Sequence, residues 1–153
     1  MKLTDELKDF VQIGMVVPDL EATKESMRTI FGLEPDSENE YHYQNCTYRN
    51  SDEPIVASAL IACYNYFNIQ LEFIQPIGEQ DTVWSDYLKM GRKGLHHLRY
   101  DVDDHDAVTQ MFAEKGVEIW MEGPSIMTPG ARFTYYDTLD ELGFVTEVVT
   151  RTK

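Results

Sequence analysis

Gln12-Ile13-Gly14-Met15-Val16-Val17-Pro18-Asp19-Leu20 is a β-rich run that stops at a proline turn, with an aspartate placed to cap a helix. Further along, His97-Leu98-Arg99-Tyr100-Asp101-Val102-Asp103-Asp104 has the same layout. Gln12 to Asp19 is 7 positions, as is His97 to Asp104; Gln12 to Ala22 is 10, as is His97 to Ala107. Gln12 to the helix-stopping Gly32 is 20, against 19 from His97 to Gly116. Each half also ends on a strand with a central glutamate, Leu71-Glu72-Phe73-Ile74 and Thr146-Glu147-Val148-Val149. A repeat of this kind decides the fold before any single motif does.

Between these anchors each half reads as one strand, one helix and three strands. In the first, a helical stripe of Leu20, Met27, Ile30 and Phe31 follows the strand Asp9–Val17. An alternating stretch around Tyr41, Tyr43 and Tyr48 comes next, then the strand pair Ile55–Tyr64 and Asn68–Gln75. In the second, Ala107, Val108, Met111 and Phe112 form the helix face, and strands are expected near Val117–Met121, Arg132–Tyr136 and Phe144–Thr150. The connector carries a short helix of Val83, Trp84, Tyr87 and Leu88, with Asp81 as its cap. The expected fold is therefore α+β: two tandem βαβββ modules forming a curved mixed sheet around a metal-containing cavity. The modules span residues 10–76 and 94–151, joined by a connector at 77–93.

Strand side chains alternate between faces. On the first strand Val11, Ile13, Met15 and Val17 should meet the helix, and Gln12, Gly14 and Val16 should face the other way. On the fifth, Leu98, Tyr100 and Val102 meet the helix while His97, Arg99 and Asp101 face away. Alternation admits only one of the adjacent His96 and His97 to the cavity; the repeat register selects His97 and leaves His96 as a packed or hydrogen-bonded histidine. The repeat makes Gln12 equivalent to His97 and Glu72 equivalent to Glu147, all on the cavity face. Four such donors are what a shared cation requires, and carboxylates between apolar neighbours need a partner charge. Imidazole with carboxylate and amide oxygens suits Zn, Ni, Co, Mn or Fe. For the glutamates the competing reading is a salt bridge, for example to Arg99; for Gln12 it is a hydrogen bond to a strand neighbour.

The bulk numbers set the frame. At 153 residues the chain can bury roughly 68–70% of its unfolded surface, so its core needs no disulfide staple. An apolar share of 42% with 12% aromatics excludes a disordered chain. No apolar run approaches the ~20 residues of a membrane span, and MKLTDELKDF lacks a secretory apolar core, so a cytoplasmic protein is expected. Cys46 and Cys63 then read as reduced thiols packed in strands. A formal net charge of −14 repels nucleic acid and anionic lipid, which leaves small molecules as the expected partners. Arg99, Arg92 and Arg132 are candidate contacts for an anionic substrate, set against ion pairs or a solvated loop. Tyr41, Tyr43, Tyr48, Tyr135 and Tyr136 are candidates for the cavity mouth, with core packing as the alternative. Trp84 and Trp120 carry no functional signal.

From about residue 10 to 150 the chain resembles the vicinal oxygen chelate superfamily, which includes glyoxalase I and methylmalonyl-CoA epimerase. The opening Gln12–Leu20 stretch carries the likeness, together with Gly94-Leu95-His96-His97 and Asp101-Val102-Asp103-Asp104, which look closest to the epimerase branch. The connector with Thr82-Val83-Trp84 and Tyr87-Leu88 points the same way. The resemblance implies metal ligands on the first, fourth, fifth and eighth strands, at Gln12, Glu72, His97 and Glu147. Gln12 departs from the epimerase pattern, which has histidine there; Gln, Glu, His, Glu is instead similar to the ligand set of eukaryotic-type glyoxalase I. The implied activity is a divalent-metal-dependent lyase or isomerase working through an enolate. It would be lactoylglutathione lyase-like or epimerase-like, with Glu147 or Glu72 as base and a thioester or hemithioacetal as substrate. A homodimer is also implied. The rivals are a non-catalytic small-molecule binding protein of the same fold and an Fe(II) dioxygenase, the latter disfavoured by Gln12.

Overall fold

The computed structural model describes residues 2–151. A short helix α1 (Leu3–Glu6) precedes strand β1 (Asp9–Val16), helix α2 (Leu20–Phe31) and strands β2 (Ser37–Tyr48), β3 (Ile55–Tyr64) and β4 (Gln70–Pro76). Helix α3 (Val83–Lys89) leads to β5 (Gly94–Val102), α4 (His105–Glu114), β6 (Ile119–Pro124), β7 (Arg132–Tyr136), α5 (Leu139–Leu142) and β8 (Val145–Thr150). The strands close into a barrel in the order β1, β4, β3, β2, β6, β7, β8, β5. Pairing is parallel between β1 and β4 and between β5 and β8, and antiparallel elsewhere, so the sheet is mixed as expected. Among the described residues no helix is long and apolar enough to cross a membrane.

Two helices cover the outside. Asp19 caps α2 by accepting from the Ala22 amide at 3.1 Å, and Asp104 caps α4 in the same way from Ala107 at 3.0 Å. Leu20 and Met27 of α2 pack on Val17, Ala62, Tyr64 and Phe73, while Val108 and Phe112 of α4 pack on Val102, Tyr136 and Val148. Ile30 and Phe31 depart from the expected stripe: they are 74% and 59% exposed, and Phe31 meets Phe67 edge to face, 6.3 Å between centroids. The two four-residue helices were not expected. Leu3 and Leu7 flank α1 and fasten it to the α4 cluster.

The third helix inserts Val83, Trp84 and Tyr87 among the interior side chains of the barrel. Its cap is Thr82 rather than Asp81: the Thr82 hydroxyl accepts from the Ser85 amide at 3.1 Å, and Asp81 pairs with Lys89. Asp86 then ties the helix to the seam where β2 meets β6. Its Oδ2 accepts from the Tyr48 hydroxyl at 2.6 Å and from Trp120 Nε1 at 2.9 Å. Both donors belong to buried side chains. Asp86→Ala leaves both without an acceptor and should cost about 2 kcal/mol in urea unfolding. Asp86→Asn, which keeps a carbonyl oxygen, should cost less than half of that.

Candidate functional site

The site grows out of the contact between β1 and β5. Gly14 sits opposite His97 and Gln12 opposite Arg99, two pairings that interchange if Gln12 is equivalent to His97. The parallel pairs obey the same relation, Gly14 with Glu72 and Arg99 with Glu147. Each strand also carries one extra residue just before its donor. Val11 is the bulged residue in β1 and His96 the bulged residue in β5. Bulges re-aim side chains next to functional sites, and here both act on the equivalent donors.

The second bulge corrects the assumption that His96 and His97 point to opposite faces. Their Nδ1 atoms are 2.8 Å apart, and both rings lie against Tyr135, at 6.0 and 5.2 Å between centroids. His96 is packed and hydrogen-bonded, as expected: its Nε2 donates to the Val83 carbonyl at 3.2 Å. A carbonyl can only accept, so the proton is on His96 Nε2. Burial, with the His97 charge adding to it, holds the His96 pKa well below the ordinary 6.5, so the ring stays neutral and its Nδ1 accepts from His97. His97 therefore has Nδ1 committed as a donor and Nε2 turned to the barrel centre.

That nitrogen faces two carboxylates, Glu147 Oε2 at 3.0 Å and Glu72 Oε1 at 3.5 Å. A lone pair aimed at carboxylate oxygens is repulsive unless a positive charge lies between them. Burial alone would lower the His97 pKa, but Glu147 and then Glu72 outweigh it and raise it to about 9. Burial likewise favours the neutral acid of Glu147, yet His97 and then Arg99 hold it ionised, below its usual range. Trp84 Nε1 donates to the Tyr135 oxygen at 3.2 Å, and burial, with the Glu147 charge adding to it, keeps the Tyr135 phenol protonated. On the other side, Gln12 Nε2 donates to Gln70 Oε1 at 2.6 Å and to Glu72 Oε2 at 3.2 Å. Gln12 Oε1 is buried without a hydrogen-bond partner, while His97 Nε2 and Glu147 Oε2, equally buried, have only each other, 3.0 Å apart. Buried polar atoms are nearly always satisfied, so the bare Gln12 oxygen and an imidazole nitrogen that meets only carboxylates are the features that a cation would fit. Among the described residues no three His, Cys, Asp or Glu side chains form a preset cation cage. The two glutamates would have to turn to a shared ion, with the Gln12 oxygen as a further donor.

A cavity of about 170 Å³ opens beside these atoms, with Glu72, Arg99 and Glu147 on its polar wall. Tyr43, Trp84, Phe133 and Tyr135 form an aromatic wall, their neighbouring centroids 5.1 to 6.1 Å apart. Trp84 is thus a lining residue that its sequence context did not reveal. Of the five tyrosines proposed for the mouth, Tyr43 and Tyr135 line the cavity and Tyr41 stacks on Tyr43. Tyr48 bonds Asp86, and Tyr136 stacks on Phe112 outside the barrel. Arg99 pairs with Asp101 at 2.9 Å, not with a glutamate. Arg132 is taken up by Asp106 at 2.6 Å and Glu122 at 3.6 Å, and Arg92 lies on an exposed loop; neither lines the cavity.

The Glyoxalase/Bleomycin resistance protein/Dioxygenase superfamily model matches residues 11–135, and the chain belongs to that superfamily. A search of curated protein sequences finds no match. Among solved structures, the chain is similar to Streptomyces coelicolor methylmalonyl-CoA epimerase in complex with 2-nitronate-propionyl-CoA, at 23% identity and TM-score 0.64, covering 96% of this chain and 99% of that one. Methylmalonyl-CoA epimerase from Mycobacterium tuberculosis is similar at 18% identity and TM-score 0.64, covering 100% and 94%. A hypothetical protein from Bacillus halodurans C-125 reaches TM-score 0.67 at 15% identity, with 95% of each chain covered. At these identities the likeness is one of fold.

Gly14 makes the arrangement possible. A β-carbon there would lie 1.9 Å from His97 Cε1 and 2.0 Å from Nε2. The Gly14→Ala protein must displace the ring, and equilibrium unfolding should show a loss of about 1–3 kcal/mol, as for other overpacked interiors. A loss below the error of the measurement would show that the ring has room to move.

Proposed function

We propose that this chain is a divalent-metal-dependent isomerase or lyase that moves a proton between neighbouring carbons of a small oxygenated substrate. The observation that carries the reading is the buried His97 Nε2 between two cavity-wall carboxylates, Glu147 at 3.0 Å and Glu72 at 3.5 Å, with Gln12 bonded to Glu72 and its Oε1 left without a partner. A divalent cation held by these four residues would supply Lewis-acid stabilisation of negative charge developing on substrate oxygens.

The chain's own groups supply the rest. Glu147 is paired with His97 at 3.0 Å, and the charges of His97 and Arg99 keep it ionised. Glu72 has looser contacts, at 3.2 Å to Gln12 and 3.5 Å to His97, and is the better base. It takes the proton from the carbon next to the carbonyl, and the electron pair passes into the enolate. The protonated Glu72 then returns that proton to the neighbouring carbon while the hydroxyl proton moves to the other oxygen, so no oxidant or co-reactant is consumed. Arg99 orients an anionic or carbonyl group at the same wall, and the aromatic wall excludes water. The cavity of about 170 Å³ has room for the reacting end of a small oxygenated substrate.

This favours glyoxalase I-like chemistry, in which one carboxylate serves both half-steps. An epimerase-like reading draws on the fold of the structural neighbours and needs two bases flanking one carbon; the inner face of β3, with Ala57, Ala59, Ile61 and Cys63, offers no carboxylate for that role. Assays of methylglyoxal hemithioacetal and methylmalonyl-CoA with added Ni, Co or Zn separate the two. The expected result is turnover of the hemithioacetal. Glu72→Gln should lower kcat by about 10²–10⁴ while keeping an oxygen donor for the cation. Binding of either compound with no turnover under any metal would instead support a sequestering protein.

A further inference from the structure

We infer that Gln70, a β4 residue outside the four donors, is a positioning residue that decides which end of the Gln12 amide faces the site centre. The inference rests on the cation site proposed above. An amide has two ends of nearly the same shape, and only its oxygen can bind a cation; its NH₂ would repel one. Gln12 is 2% exposed, so water does not set its orientation. Two neighbours do. Glu72 Oε2 lies 3.2 Å from one end of the amide and, as a carboxylate, has no proton to give, so that end is the NH₂. Gln70, the register partner of Gln12 on β4, accepts from the same nitrogen at 2.6 Å.

Gln70 is itself oriented, because its Nε2 donates to Asn65 Oδ1 at 2.9 Å. A line of amides thus runs from Asn65 at the exposed β3–β4 hairpin through Gln70 to Gln12, whose nitrogen is shared between Gln70 and Glu72 and whose Oε1 is left buried without a partner. Glu72 cannot hold this alone, since a carboxylate engaged by a cation is a poorer acceptor; the orientation then depends on Gln70. The fold does not require a polar residue here. The corresponding partner of His97 on β8 is Val145, and His97 is oriented by His96 instead.

Cobalt(II) titration of the purified protein, read by visible absorption and by calorimetry, tests this. Gln70→Leu should weaken Co²⁺ binding by about 10-fold or more, the usual effect of losing an orienting partner, and change the absorption band of the bound ion. Asn65→Ala, at the exposed tip where folding is not at stake, should shift affinity in the same direction by less. The decisive arm is Gln12→Glu. A carboxylate presents oxygen at either end and needs no orienting, so adding Gln70→Leu to it should change affinity by less than about threefold. An undiminished Gln70→Leu loss in the Gln12→Glu background would make Gln70 merely structural and overturn the inference. Wild-type affinity in Gln70→Leu, with Gln12→Ala weakened, would overturn it too while leaving the cation site intact. A wild-type protein that binds no stoichiometric Co²⁺ overturns both.

Discussion

The imidazole of His97 lies over the bare backbone of Gly14, between the carboxylates of Glu72 and Glu147, inside a closed barrel. Two carboxylates in such a place cost several kcal/mol each in lost hydration, and one imidazole repays this only if a positive charge sits at its inner nitrogen. Every neighbour is arranged around that requirement. His96 accepts the outer proton of His97, His97 and Arg99 hold Glu147 ionised, and Gln12 donates to both Gln70 and Glu72. The charge can be a proton, as the raised His97 pKa of about 9 implies, or a metal cation. The chain's acidity, with a net charge of −14, adds a field that favours either.

The fold could be read from spacing because its determinants repeat. Asp19 and Asp104 cap equivalent helices, and the period-2 burial of β1 places Gln12, Gly14 and Val16 inward as alternation requires. That Gln12, Glu72, His97 and Glu147 lie together inside the barrel was legible for the same reason. What escaped was whatever breaks the period. Alternation flips each successive residue, and a bulge adds one residue without a flip, so His96 was sent to the wrong face. Bulges have no residue signature here: one is Val11, the other His96. Ile30 and Phe31 escaped because a helix stripe does not show which of its apolar residues the sheet covers.

Side-chain partners were less accessible still. Arg132 and Arg99 were equal candidates by sequence, and separating them needed the positions of Asp106 and Glu122, which converge on Arg132 only after β6, β7 and α4 assemble. Gln70 stands near a polar hairpin and reads as surface until pairing sets it against Gln12. Trp84 lies in a connector, and only the insertion of α3 into the barrel turns it to the cavity. Fold likeness does not separate the chemistries within the superfamily, because the nearby structures share less than 25% identity with this chain. In the function proposed above, that distinction rests on Gln12 and on β3, which carries no carboxylate.

The central claim is that the buried centre around His97 holds a divalent cation. Metal analysis of the purified protein, paired with calorimetric titration of wild type and His97→Ala, tests it most directly. One equivalent of a divalent transition metal per chain is predicted for the wild type, with binding lost or weakened by orders of magnitude in His97→Ala. A protein that takes up no stoichiometric metal, or a His97→Ala variant that binds it as tightly as the wild type, would contradict the account.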